Sequence, residues 1–122
     1  MATEQALRSV SYPANADLSA KQYFFVNINS SGKIVVAGDG ARAIGVLQDK
    51  PAAADRAGAV AIFGQTKISL GGTVAVGDAV ASDSAGEAVV AATGDAVLGT
   101  CIQGGADGEI GSILFNPSNS GI

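Results

Sequence analysis

VNINSSGKIVVA, residues 26–37, returns later in the chain as VASDSAGEAVVA, residues 80–91, and this likeness decides the reading of the fold. Laid over each other at an offset of 54, the two segments share Val26/Val80, Ser30/Ser84, Gly32/Gly86, Val35/Val89, Val36/Val90 and Ala37/Ala91. The register continues through Gly40/Gly94, Ile44/Leu98 and Gly45/Gly99. A fixed-period self-match of this kind is the mark of a duplicated structural unit. With a four-residue shortening, Gly58-Ala-Val-Ala-Ile falls on Gly108-Glu-Ile-Gly-Ser.

Each copy describes a hairpin and one further strand. A strand (24–28, or 79–82) enters the polar turn Asn29-Ser30-Ser31-Gly32, or Asp83-Ser84-Ala85-Gly86. Each turn ends in Gly, which tolerates positive φ. A second strand leaves (34–37, or 88–91), and a third follows a short loop (43–47, or 97–102). Residues 65–70 alternate with period two and stop at Gly71-Gly72, while 59–63 and 109–115 are strand-like apolar runs. The expected fold is all-β, a compact barrel or sandwich of about nine short strands, with an internal duplicated hairpin-plus-strand unit and little helix. Single helical turns are expected at Ser19-Ala-Lys-Gln22, a capping-box pattern, and after Pro51.

Composition agrees with this reading. The chain has 122 residues, room for one domain that buries roughly two-thirds of its unfolded surface. Apolar residues are 48 % but aromatics only 5 %, so Val, Ile, Leu and Ala must build the core. The 17 Gly residues follow no three-residue period and suggest many tight turns. Organisation is expected as an extended N-terminal arm (1–16), a β domain (17–115) and a C-terminal tail (116–122). The arm carries spaced apolar anchors, Leu7, Val10, Tyr12 and Pro13, which with Arg8 are the expected interface to a neighbouring subunit; a free tail is the alternative.

Several chemistries find little support. The net charge is −4 and the seven Lys and Arg do not cluster, so a nucleic-acid footprint is not expected. The chain opens without a signal-peptide pattern, and no stretch approaches the roughly 20 apolar residues of a membrane span. Synthesis in a cytoplasm and no membrane partner are therefore expected. Cys101 lies in the apolar run VLGTCI and reads as a small buried hydrophobe. There is no His, which removes Ser-His-Asp and Cys-His arrangements. Asp107 and Glu109 lie two apart, but Gly105-Ala-Asp-Gly108 reads as a turn that leaves them solvated.

Two motifs need separate tests. Gly38-Asp-Gly40-Ala-Arg-Ala43 after the run IVVA matches G-x-G-x-x-G/A, the phosphate-cradling turn of dinucleotide folds. That turn needs a helix starting at its glycines, and Ala43-Ile-Gly-Val-Leu47 is strand-like. The second copy also replaces Gly38-Asp39-Gly40 by Ala92-Thr93-Gly94. Asn27-x-Asn29-x-Ser31-Gly32 resembles the start of a calcium loop, but position twelve is Gly38 rather than Glu. No catalytic residue, no cofactor and no metal site is assigned, and the protein is expected not to be an enzyme.

The residues also carry a resemblance. Asp17-Leu-Ser-Ala-Lys-Gln-Tyr-Phe-Phe-Val-Asn-Ile28, Ser31-Gly-Lys-Ile-Val-Val-Ala37, Ile44-Gly-Val-Leu-Gln-Asp-Lys-Pro51, Gly77-Asp-Ala-Val-Ala-Ser-Asp83 and Gly86 resemble the small capsid decoration (cement) proteins of tailed bacteriophages, over residues 16–115. The resemblance implies a β-rich structural virion protein, homotrimeric, without catalytic residues. It would be made in the host bacterial cytoplasm and bound to the outer capsid surface. There it would bridge adjacent major capsid protein subunits and stabilise the expanded shell. The competing readings are a tail-associated or carbohydrate-binding β module and a small trimeric nucleotide hydrolase. The first lacks exposed aromatic platforms in the sequence; the second lacks an Asp-containing substrate motif.

Overall fold

The computed structural model describes residues 8–117. They form nine strands: β1 (Arg8–Pro13), β2 (Phe25–Ile28), β3 (Ile34–Val36), β4 (Gly45–Leu47), β5 (Ala57–Ser69), β6 (Ala79–Ser82), β7 (Ala88–Val90), β8 (Gly99–Gln103) and β9 (Ile110–Phe115). Every ladder is antiparallel, and the curled sheet runs β3-β2-β4-β5-β9-β8-β6-β7, with β1 on the other edge of β5.

The duplication is present in the pairing itself. Val26 opposes Val36 and Ile28 opposes Ile34; 54 residues on, Val80 opposes Val90 and Ser82 opposes Ala88. Phe25–Val46 and Val26–Gly45 recur as Ala79–Thr100 and Val80–Gly99. The outer strands repeat as well, at slightly different offsets. Val10–Val60 between β1 and β5 corresponds to Thr66–Ile113 between the end of β5 and β9. The first lobe (8–63) thus consists of β1 to β4 and the first half of β5. The second (64–115) consists of the second half of β5 and β6 to β9.

β5 is one continuous strand of 13 residues that ends the first lobe and starts the second. The changeover falls at Gly64, whose φ of 115° lies where L side chains are strained. The sequence reading separated residues 59–63 and 65–70 at this glycine; backbone pairing to β1 and β4 on one side of it and to β9 on the other runs straight through. The four-residue shortening also needs correction. Gly58 corresponds to Gly111, not Gly108, because the path from Cys101 to its partner Ile113 is one residue shorter, not four, than that from Leu47 to Val60.

Each lobe closes on itself. A parallel bridge joins Ala14 to Ile34 in the first and Leu70 to Ala88 in the second. Asn15 N–H donates to the Ile34 carbonyl at 3.0 Å, and Gly71 N–H to the Ala88 carbonyl at 2.9 Å. The first core contains Ala14, Val26, Ile34, Leu47 and Val60. Their counterparts Leu70, Val80, Ala88, Cys101 and Ile113 all lie in the second core. Size is exchanged between partners: small Ala14 faces large Ile34, and large Leu70 faces small Ala88. Leu47 with Val60 is likewise answered by Cys101 with Ile113. Close-packed interiors demand this, since volume lost at one position must return at its neighbour.

The segment set apart as an N-terminal arm, 1–16, is from Arg8 onward part of this sheet. Arg8–Pro13 pairs with β5 of its own chain, and Ala14 is fully buried. Pairing satisfies the backbone groups that an extended arm would leave to solvent. The expected helical turns are hydrogen-bonded turns without helix. Lys21 N–H donates to Leu18 O, and Arg56 N–H to Ala53 O. Gln22 does not cap Ser19; its amide donates to the Gln48 carbonyl at 3.0 Å, while Asp17 accepts from Ser19 N–H. The side chain is drawn to an acceptor on the strand-end loop, and the chain is already bending into β2.

The exchange of core volume makes a double-mutant prediction. Ala14→Leu should cost about 1–3 kcal/mol through overpacking, and Ile34→Ala about 2–5 kcal/mol through a cavity. The double variant, which copies the second lobe, should cost at least about 1 kcal/mol less than the sum. Urea unfolding of the four proteins measures this coupling; strict additivity would contradict the shared-space account.

Candidate functional site

The glycine turn at 38–43 is built as a joint between lobes. No helix follows it; the chain enters β4. Gly40 N–H donates to the Ser82 carbonyl at 2.8 Å, and its own carbonyl accepts from Ala96 N–H at 3.0 Å. Gly40 sits at φ 63°, and a Cβ there would collide with the Asp95 carboxylate. The amide that a dinucleotide phosphate would require is therefore engaged by the other lobe.

The two hairpin tips share one internal bonding scheme. Asn29 Oδ1 accepts from Ser31 N–H and Lys33 N–H, both at 3.0 Å. Asp83 Oδ1 accepts from Ala85 N–H at 2.8 Å and Glu87 N–H at 2.9 Å. Asn27 Oδ1 accepts from Ile28 N–H at 2.9 Å. The oxygens that suggested a calcium loop thus brace backbone amides, as Asx side chains do in turns. Among the described residues no three His, Cys, Asp or Glu side chains gather around a common point.

The tips differ in surroundings. Gly32 (φ 78°) has open space where a Cβ would stand. Gly86 (φ 87°) is pressed against the first lobe, where a Cβ would meet Val36 Cγ1 and, at 3.0 Å, the Phe25 carbonyl. The Gly86 carbonyl accepts from Phe25 N–H at 2.7 Å. The second hairpin is thus a structural wedge between lobes, whereas the first is open at Gly32 and is tied within its own lobe, through Asn29 to Asn15 and Lys33 to Asp55.

The remaining chemical candidates are dispersed. Cys101 is buried in the second core, where desolvation and then the charge of Asp78 push its thiol above the ordinary value of 9.0. Glu109 accepts from Ala106 N–H at 2.7 Å and braces the turn before β9; Asp107 is exposed at the same turn. Ser69, 7 % exposed, donates its hydroxyl to Glu87 at 2.7 Å and ties β5 to the second hairpin. No pocket opens among the described residues, and no helix there is long and apolar enough to cross a membrane.

The predicted interface residues fall on one element. Arg8, Val10 and Pro13 are exposed and Tyr12 is half-buried, all on β1; Leu7 lies outside the described residues. β1 is an outer strand whose side chains are exposed along nearly its whole length. The exposed apolar side chains of β8 and β9, Ile102, Ile110 and Leu114, were not singled out from the sequence. Alternation in 110–115 carried the signal: Gly111, Ile113 and Phe115 point inward, which turns Ile110 and Leu114 outward.

No family model and no curated protein matches the chain. Its fold is similar to the crystal structure of the N base of head fiber gp8.5 in bacteriophage phi29, with a TM-score of 0.71 and 15 % identity. That likeness covers 90 % of this chain and 94 % of the other. The likeness in fold thus extends over nearly the whole of both chains.

The unequal hairpin glycines give a sharp comparison. Gly32→Ala should cost only the positive-φ penalty, about 1 kcal/mol. Gly86→Ala should cost about 1–3 kcal/mol more, because the lobes must part to admit the methyl group. Denaturant midpoints of the two variants test this; equal losses would mean that the Gly86 wedge is absent in solution.

Proposed function

We propose that the chain is a structural virion protein that binds the outer surface of a phage capsid and bridges adjacent major capsid subunits. The observation that carries this reading is the whole-length fold likeness to a phage head fiber base. The motif resemblance to capsid decoration proteins likewise points to a phage head. The plain chemistry of the chain supports it: carboxylates, thiol and turn amides serve the fold, and the reading assigns no catalytic step and no cofactor.

The physics of a filled shell suits such a protein. Packed DNA pushes outward, and failure begins where subunits separate. A clip across two subunits adds its binding energy to that separation. As a homotrimer it would engage several sites at once, and effective concentration then raises avidity by roughly 10²–10⁴ over a single contact. Mild acidity keeps the free protein soluble until it docks. A second reading is favoured by the particular neighbour: the domain is the base of a head fiber. In both readings it acts at the phage head. The carbohydrate-binding alternative has weaker support, since Phe63 is the one aromatic exposed among the described residues.

Co-sedimentation with expanded and unexpanded shells of its own virus tests the proposal, with the mass of the free protein taken by light scattering. Saturable pelleting with expanded shells, and little with unexpanded ones, is the expected result. A protein that stays in the supernatant with both would overturn it.

A further inference from the structure

The internal duplication acts as a control, because each surface of one lobe can be compared with its counterpart on the other. The outer face of the first lobe presents Phe25, Ala37, Ala43 and Val46. All four are buried, because they plug the open side of the second lobe and share its core with Ile68 and Phe115. The Phe25 and Phe115 rings lie 6.2 Å apart at 41°. The corresponding face of the second lobe, Ala79, Ala91, Val97 and Thr100, is partly or fully exposed.

The open sides show the same contrast in reverse. Thr66, Ile68 and Phe115, which line the plugged opening, are buried, with Thr66 at 6 %. Their counterparts in the first lobe are Val10, Tyr12 and Ile62. Val10 is 41 % exposed, and the other two are half-buried. One plug and one socket are thus joined within the chain, and among the described residues one of each is left over.

We propose that the second lobe's outer face docks into the first lobe's open side on another copy of this chain, repeating the lobe-to-lobe contact between molecules. The free plug is suited to that role. It is uncharged, and where the first lobe has Ala61 and Gln48 it carries Leu114 and Ile102, at 37 % and 42 % exposure. Leu114 stands opposite Thr100 and supplies the bulk that Ala79 lacks relative to Phe25. The joint is head-to-tail, so copies either close into a ring or continue as a polymer. A ring would place lobes in alternating covalent and non-covalent joints of the same kind. This deepens the self-association in the reading above but needs nothing from the capsid; its failure would leave shell binding to be decided by sedimentation.

The test uses the full chain and two variants, Leu114→Glu on the plug and Val10→Glu in the socket, with circular dichroism to verify folding and light scattering to give mass. The parent protein is expected above monomer mass. Each variant alone is expected as a monomer, with a dissociation constant raised roughly tenfold or more by the buried charge. An equimolar mixture has one intact plug and one intact socket, and is expected to form a 1:1 heterodimer. Ile102→Glu provides a second plug variant, should Leu114→Glu not fold, and is expected to behave identically. A monomeric parent protein, or variants whose mixture remains monomeric, would overturn the proposal.

Discussion

Backbone pairing along β5 is the constraint on which the rest of the molecule depends. A strand of 13 residues has two edges, and nearly every stretch of it is hydrogen-bonded to a neighbour: β1 and β4 up to Phe63, β9 from Gly64. Residues on one of its faces enter both cores, Val60 the first and Ile68 the second. Neither lobe can lose this strand without opening its ring of strands. The rest of the contact between lobes is consistent with that coupling: Phe25 plugs the second core, Gly86 wedges against β2, and Gly40 exchanges backbone bonds with Ser82 and Ala96. Tyr23, held at φ 68°, receives a bond from Ser69 N–H and donates to the Leu47 carbonyl, which ties both halves at one residue.

The part of this that was legible in the sequence is the part governed by backbone conformation. The hairpins are marked by Asn29 or Asp83 followed three residues later by a glycine, because only those residue types make that turn cheaply. Gly45 and Gly99 match because each faces a neighbouring strand's carbonyl too closely for a side chain. Core positions other than Val26/Val80, in contrast, differ in identity while volume is exchanged between partners. Ala14 and Leu70 do not match, nor do Ile34 and Ala88, though each pair of partners fills the same space. RSVSYP of β1 and GQTKIS at the end of β5 share no residue in register, yet they hold equivalent places. The first strand of each repeat was therefore missed as a repeat, and residues 8–13 read as a detached arm. The glycine fingerprint at 38–43 misled for the related reason that a φ-positive glycine serves any tight turn, including one whose amide binds a neighbouring strand.

The candidate surface was legible to a smaller degree. Val10 and Tyr12 were noted for their spacing, and both lie on the exposed β1. The β8–β9 face depends on three-dimensional comparison of the lobes, which no local pattern encodes. Duplication followed by unequal burial gives the molecule its polarity: one lobe donates a covered face, the other an uncovered one. The molecule's polar side chains brace turns, its thiol is sealed in a core, and its surface chemistry is left to sheet faces and edges.

Hydrogen exchange along Ala57–Ser69 tests the central claim most directly. If β5 unites two equivalent lobes into one cooperative body, its paired amides on both sides of Gly64 should exchange together, at the slowest rate in the chain, and only through global unfolding. Two distinct rates divided at Gly64, with one half opening while the other remains protected, would contradict the account.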